Sequence, residues 1–302
     1  MISVQPSMPD ALRLVLVDGS ASLYRAFFAL PALTNSRGTP TNAVLGFATI
    51  LLKLLREEKP AAAAVVFDGP GPTTRHREFS AYKAQRPAMP ERLLEQIPLV
   101  HRLLAAMRVP LLLVAGEEAD DILATIATTA AAQGFLVRLV TGDKDLLQVV
   151  GDRIVVRDPL APRTLGPAEV EGRYGISPAQ VPDFLGLMGD SSDNIPGVPG
   201  IGEKTARDLL QRFGSLEVVL ECAAEVTRPK LREALMTYAE QARFSKRLAT
   251  IRTDLPVPWS IADLARQEPD VPALLALFRE LGFTRLIQQF EQPTLRTMTN
   301  DE

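Results

Sequence analysis

The run Leu12-Arg13-Leu14-Val15-Leu16-Val17-Asp18 decides how this chain is read: an apolar segment of strand length ends on a carboxylate. Three further segments repeat the arrangement. They are Ala61 to Asp68 (AAAAVVFD), Pro110 to Asp121 (PLLLVAGEEADD) and Phe135 to Asp145 (FLVRLVTGDKD), with a weaker strand at Arg153 to Arg157. A nearly continuous apolar run, rather than an alternating one, marks a strand buried on both faces, as in parallel sheets. Helical patterns lie between the runs. The spacing predicts helices over Asn42 to Glu57, with Asn42 as N-cap, over Glu91 to Met107 in spite of Pro98, and over Glu118 to Gln133, closed by Gly134. Strand and helix in alternation predict an α/β fold, a mostly parallel sheet flanked by helices.

Beyond about residue 165 the strand signals stop. Short helical segments follow, punctuated by Pro178, Pro182, Pro196, Pro199, Gly200 and Gly202, and later helices are expected over Pro229 to Leu248, Val271 to Leu281 and Thr284 to Phe290. The expected organisation is an α/β core over 11–180, a helical subdomain over 181–293 and a frayed tail over 294–302. At 302 residues and 46% hydrophobic content the chain is long enough for a sizeable core. No apolar run reaches the ~20 residues of a membrane-spanning helix. The first ten residues, MISVQPSMPD, carry no basic-then-apolar leader, so the expected location is the cytoplasm, with no membrane partner. One cysteine, Cys222, excludes an intramolecular disulfide, and two histidines, His76 and His101, leave little for zinc sites or histidine catalysis.

The net charge of −3 argues by itself against a general nucleic-acid binder, but its distribution reverses that. Nine acids sit in five short clusters: Asp18; Asp68; Glu118, Asp120 and Asp121; Asp143 and Asp145; Asp190 and Asp193. Setting them aside leaves 27 acids against 33 bases, a balance of +6. In a parallel sheet the C-terminal strand ends share one edge, so the carboxylates that follow the strands converge there. So many in one crevice raise one another's pKa values unless a cation compensates. With no histidine or cysteine beside them, the ion expected is Mg²⁺ or Mn²⁺, and a pair of such ions activates a water and stabilises the leaving oxygen of a phosphodiester. Taken singly, an acid after a strand is also an ordinary helix N-cap. A phosphatase with an aspartyl nucleophile is the reading from another class, and Ser20 stands where its second aspartate belongs. A non-catalytic DNA-binding module has no use for nine clustered acids.

Two further stretches point to nucleic acid. Arg75, His76, Arg77, Phe79, Tyr82, Lys83 and Arg86 interleave cations with aromatics. Wound as one helix, Arg75, Phe79, Tyr82 or Lys83, and Arg86 share a face that is both cationic and stackable, as single strands require. The bland alternative is a solvated basic helix. In Pro196-Gly197-Val198-Pro199-Gly200-Ile201-Gly202-Glu203-Lys204-Thr205, no strand precedes the glycines and Thr205 replaces the third glycine of a dinucleotide fingerprint. Glycines just before a helix instead let backbone N–H groups approach a phosphate, or merely make a tight turn. Tyr24 either stacks on a base or is core.

LVDGSASLYRAFFAL, SRGTPTNAVLGF, VFDGPGPTTRHREFSAYKAQRPAMPERL, EEADDILA, TGDKDLLQ, GLMGDSSDNIPGVPGIGEKTA and LLQRFGSLE, in this order, resemble the 5′ nuclease family. That family comprises the 5′-3′ exonuclease domain of bacterial DNA polymerase I and the flap endonucleases. The resemblance runs from about Leu14 to Phe290. It implies a PIN-like core, a helical arch over 69–90 and a helix-three-turn-helix around 185–212, which in the family holds one duplex strand and a K⁺ ion. It implies structure-specific 5′-3′ exonuclease and 5′-flap endonuclease action in DNA replication and repair, on flapped, nicked or gapped DNA and on RNA-primed DNA, by a monomer at the bacterial nucleoid. It also implies two Mg²⁺ or Mn²⁺ ions held by Asp18, Asp68, Glu118, Asp120, Asp121, Asp143, Asp145, Asp190 and Asp193, with Lys83 and Arg86 as basic catalytic residues. The nucleic-acid contacts expected are Tyr24, Arg75, Arg77, Phe79, Tyr82, Gly197, Gly200, Gly202, Lys204 and Thr205. A small-RNA-cleaving relative on the same core is the alternative within nucleases, and the long helical region weighs against it.

Overall fold

A computed structural model describes residues 12–159 and 163–291; the tail expected over 294–302 lies outside the described residues. Six strands form one sheet: β1 (Arg13–Asp18), β2 (Ala62–Val66), β3 (Leu111–Leu112), β4 (Leu136–Val140), β5 (Ile154–Arg157) and β6 (Thr164–Leu165), in the order β3-β2-β1-β4-β5-β6. All pairings are parallel except β5 with β6, and that short antiparallel strand is the one that lies beyond the apolar runs and was not expected. β1 sits between β2 and β4, and its residues after Arg13 are buried on both faces. Its alternation decides which core each residue serves. Leu14 and Leu16 pack with Ile122, Leu123 and Ile126 of the helix Ala119–Ala132, whereas Val15 and Val17 pack with Phe47 and Leu51 of the helix Asn42–Glu58.

Local boundaries differ from expectation where a partner distant in sequence decides them. The N-cap of Asn42–Glu58 is Thr41, not Asn42. The first free N–H groups of that helix, on Ala43 and Val44, donate to Oε1 of Gln96, whose Nε2 donates to Asn42 Oδ1. Gln96 is wholly buried, and beside it the helix expected over Glu91 to Met107 divides into Glu91–Leu94 and Ile97–Ala106. Pro98 then falls in a first turn, where its missing N–H costs nothing. The helix expected over Pro229 to Leu248 is likewise two, Pro229–Thr237 and Ala239–Ala249.

The helical region shares the sheet's core. One continuous apolar cluster runs from Leu14 and Leu16 through Ile176, Phe184 and Leu187 to Ala242, Leu248 and Leu264. The last two helices, Val271–Leu281 and Thr284–Glu291, leave that region. Leu274, Leu277, Phe278 and Leu281 join Val15, Phe47 and Val100 on the opposite face of the sheet, so these residues belong with the α/β layer and not with the subdomain in which the sequence places them. The chain crosses over beside β2, where Ala265 bridges Ala62, Arg266 N–H donates to Ala61 O, and Asp270 N–H donates to Ala106 O.

Candidate active site

The C-terminal ends of β1, β2 and β4 lie side by side, with Asp18 paired to Val66 and Val17 to Val140. Asp18, Asp68 just past β2 and Asp143 just past β4 therefore emerge on one edge, the usual ligand edge of open α/β sheets. Asp120 joins them from the first turn of Ala119–Ala132. These four line a single pocket of about 490 Å³ together with Ser20, Tyr24, Lys83, Arg86 and Met89.

Asp18, Asp68, Asp143 and Asp190 are fixed by local bonds. Asp18 caps the helix Gly19–Ala29: its Oδ1 accepts from Ala21 N–H and its Oδ2 from Thr141 Oγ1, at 2.9 and 2.8 Å. Burial lifts its carboxyl to about 6; those two hydrogen bonds oppose the rise, and the charges of Asp68 and Asp143 add to it. Asp68 Oδ1 accepts from Ala119 N–H at the start of the neighbouring helix. Asp120 is pushed well above the carboxylate range by burial and then by the charges of Asp143, Asp18 and Asp68. Burial also raises Asp143, although Asp145 N–H donates to its Oδ1. Asp145 is raised by burial and by the charges of Asp143, Asp190 and Asp193, and its Oδ1 is buried with no hydrogen-bond partner among the described residues. At Asp190 burial works upward too, but Ser192 and the Lys144 ammonium at 3.1 Å win and lower it.

Glu118 and Asp121 share a helix face, as their spacing requires, but Arg75 occupies that face. Arg75 is 9% exposed. Its Nη1 donates to Glu118 Oε2 (2.9 Å) and Asp121 Oδ2 (2.7 Å), its Nη2 to Asp121 Oδ1 (2.9 Å) and Thr250 O (2.8 Å), and its Nε to Leu248 O (2.8 Å). Asp121 Oδ1 also accepts from Arg252 N–H. The structure therefore takes Arg75 out of the nucleic-acid face, and it sets Asp121 apart from the pocket that Asp120 enters. Tyr82 is removed from that face as well. It is 3% exposed, and its hydroxyl, with one proton to give, lies 2.9 Å from Asp193 Oδ2 and 3.1 Å from Glu118 Oε2. Thr73 completes the set by donating to Glu118 Oε1.

The stretch 69–90 is not one helix. It contains Thr74–Glu78, ended by the extended Phe79, and then turns through Ala81 to Arg86 that dock on the loop 190–194. Lys83 N–H donates to Asp193 O, Asn194 Nδ2 to Ala81 O, and Gln85 Nε2 to Ser191 O. Lys83 takes a left-handed φ of 54°, which aims its ammonium at the acids, 3.5 Å from Glu118 Oε2 and 3.6 Å from Asp193 Oδ2. Burial alone would lower its pKa; Glu118, Asp193 and Asp120 outweigh it and hold the charge. The half-exposed Arg86 pairs with Asp193 at 2.6 Å. Phe79 turns edge-on to Phe244 and packs on the core, Arg77 is exposed and folds back on Pro72 O, and Tyr24 packs on the core, as one of its two readings expects, and also lines the pocket. Thr73 and Thr141, which orient Glu118 and Asp18, went unnoticed because their partners lie 45 and 123 residues away.

The glycine turn is split in its roles. Gly197 is buried at φ 33°, and a Cβ there would lie 2.3 Å from Gly189 N; it is a packing glycine and not a nucleic-acid contact. Gly200 and Gly202 face solvent with open space around them, Gly202 is the N-cap residue of the helix Glu203–Phe213, and Lys204 beside it is exposed while Thr205 is half-buried.

The acidic donors are all oxygen, several are held against ionisation by burial, and one buried oxygen lacks a partner. This set fits a hard divalent cation. Among the described residues no three His, Cys, Asp or Glu side chains close around one point by themselves.

Fold and site together define a resolvase-like α/β domain joined to a helical unit. Residues 13–175 match the family described as 5′-3′ exonuclease, N-terminal resolvase-like domain, and residues 176–272 match 5′-3′ exonuclease, C-terminal SAM fold. The chain belongs to the 5′-3′ exonuclease family. A 5′-3′ exonuclease of Aquifex aeolicus is 37% identical over 279 residues, 92% of this chain and 95% of that protein. DNA polymerase I of Bacillus caldotenax is 46% identical over 288 residues, 93% of this chain but 33% of the polymerase, so the chain spans about a third of such relatives. Among solved structures, T5 5′-exonuclease with bound divalent zinc aligns at a TM-score of 0.66 and 21% identity, covering 93% of this chain and all of that one. The catalytic core of Rad2 in complex with DNA substrate aligns at 0.62 and 19%, over 90% and 88% of the two chains. At such identities these two share the fold.

Proposed function

We propose that this chain is a structure-specific 5′-3′ exonuclease and 5′-flap endonuclease that removes primers and flaps during DNA replication and repair. The observation that carries the reading is the convergence of Asp18, Asp68, Asp120 and Asp143 on one pocket that Lys83 and Arg86 also line. The relatives named above support it. In this reading Asp18, Asp68, Asp120 and Asp143 hold two Mg²⁺ or Mn²⁺ ions, with Glu118, Asp145, Asp190 and Asp193 beside them. When bound, the ions supply an activated water and charge neutralisation at the leaving oxygen.

The remaining steps belong to the chain's own residues. Lys83, held charged by Glu118 and Asp193, and Arg86 face the negative charge that builds on the scissile phosphate, where preorganised cations count for most. Tyr24 offers a ring at the pocket wall for the terminal base. Gly202 and Lys204, with the N-terminus of Glu203–Phe213, take a duplex phosphate, and main-chain oxygens of that turn take K⁺. The same reading puts the protein in the cytoplasm, at the nucleoid; no helix among the described residues is long and apolar enough to cross a membrane.

The experiment is a comparison of 5′-flap, nicked and blunt duplexes with Mg²⁺ or EDTA, including an RNA-primed 5′ end. Metal-dependent cleavage at the flap base, with the blunt duplex cut slowest, is expected. Equal cleavage of all three, or cleavage in EDTA, would overturn the assignment.

A further inference from the structure

Arg75 is the most heavily bonded side chain near the site, and the proposed mechanism does not use it. Its guanidinium joins three parts of the chain that are far apart in sequence. It starts in the short helix Thr74–Glu78, it meets Glu118 and Asp121 at the N-terminus of Ala119–Ala132, and it reaches the carbonyls of Leu248 and Thr250 at the end of Ala239–Ala249. We infer that Arg75 is a positioning residue, which fixes the metal-side carboxylates to the helical region and does not touch nucleic acid. The inference rests on the nuclease reading above.

Lone-pair counting supports it. A carboxylate has about four acceptor sites. Asp121 spends three, two on Arg75 and one on Arg252 N–H, and it does not line the pocket that Asp120 enters. Glu118 accepts from Thr73 at Oε1 and from Arg75 at Oε2, and its Oε2 also lies 3.1 Å from the Tyr82 hydroxyl and 3.5 Å from the Lys83 ammonium. Asp121 is thus the counter-charge that seats Arg75, and Arg75 sets the rotamer of Glu118. Asp120, between them in sequence, is carried into the pocket by the same turn of helix. Partners that orient ligands in this way, once removed, typically cost about 10- to 100-fold in metal affinity.

The far end of the guanidinium makes the arrangement more than a local brace. The helix Ala239–Ala249 packs on Val181–Met188, which leads directly into the loop carrying Asp190 and Asp193. Two of Arg75's five hydrogen bonds therefore hold the acids of the α/β edge in register with the acids of the helical region.

The test uses Arg75→Lys, which keeps the charge but cannot span both carboxylates and both carbonyls, and Asp121→Asn, which keeps the shape. Mn²⁺ binding is measured by calorimetry without nucleic acid, flap-duplex binding in Ca²⁺, and single-turnover cleavage across Mg²⁺ concentrations. Thermal melts confirm the fold. The expected result in both variants is a roughly tenfold or greater loss of Mn²⁺ affinity, duplex affinity within about twofold of wild type, and partial recovery of rate at high Mg²⁺. Weakened duplex binding with unchanged Mn²⁺ affinity would overturn the inference and return Arg75 to the nucleic-acid face. Unfolding of both variants would overturn it too, by making the cluster purely structural. Failure of the nuclease reading shows separately, as a wild-type chain that neither binds Mn²⁺ nor cleaves.

Discussion

Asp18→Asn should stabilise the metal-free protein at high pH, and the structure sets the size of the effect. Asp18 is 4% exposed, and burial lifts its carboxyl from 3.8 to about 6. Because the folded value lies above the unfolded one, the neutral acid favours the fold. Its contribution is fully present below about pH 4 and is lost as pH rises through about 6. A rise of that size corresponds to roughly 3 kcal/mol at about pH 8. Asparagine keeps the cap, since its Oδ1 still accepts from Ala21 N–H and its Nδ2 can donate to the Thr141 hydroxyl. The substitution thus removes charge and few contacts. In EDTA at about pH 8 the variant should melt roughly 6 °C above wild type, taking about 2 °C per kcal/mol for a chain of this size, and the gap should close near pH 4. In Mn²⁺ the order reverses, because the wild-type carboxylate is then held ionised and binding stabilises the fold by mass action. Calorimetry in EDTA and in Mn²⁺ across this range reads both effects. A variant less stable than wild type at pH 8 in EDTA, or offset equally at every pH, would refute the reasoning.

Asp143→Ala should abolish cleavage while leaving duplex affinity within about tenfold, because it removes a carboxylate of the pocket and no phosphate contact; residual cleavage at saturating Mg²⁺ is the contrary result. Lys83→Ala and Arg86→Ala should slow single-turnover cleavage far more than they weaken binding, so a loss confined to Kd would make them positioning contacts. Gly197→Ala should cost roughly 2 kcal/mol or more in urea melts, since a Cβ would lie 2.3 Å from Gly189 N. Gly202→Val, with nothing within 4 Å but at an N-cap where valine is poorer than glycine, should cost at most about 1 kcal/mol and weaken every duplex alike; sequence-dependent weakening would speak against a backbone-phosphate contact.

The parallel sheet was legible because apolar runs ending in acids carry both strand and site. β1, β2, β4 and β5 fall within a residue or so of where the runs place them. The antiparallel β6 was not legible, since two residues give no periodicity. In the site, spacing placed Glu118 and Asp121 correctly on one helix face but could not say what that face meets. A basic residue near acids reads the same whether it binds phosphate or is buried on a carboxylate, and only the contacts from Leu248 and Thr250 separate the two for Arg75. Tyr82 leaves the face that one continuous helix would give it, because the chain departs from the helix at Phe79. Asn42 lost its cap to Thr41 because Gln96, 53 residues from Ala43, supplies the acceptor.

The helical region is tied to the sheet at both of its ends, entering from β6 and leaving through the bridge of Ala265 to Ala62. Anchored twice and sharing one apolar core with the sheet, it moves with the sheet as one body. It also cannot melt alone, because loosening it frees Leu264 from one core and draws on the strap that leads Leu274 and Phe278 into the other. Although the chain matches two family segments, a calorimeter should record one endotherm, with an enthalpy on the order of 200 kcal/mol for the whole folded length near 60 °C. A proteolytic nick between the two segments should release neither half as an independently folding piece. Cooperativity of this kind means that damage anywhere along the strap is felt at the carboxylate edge as a change in the lifetime of the native state.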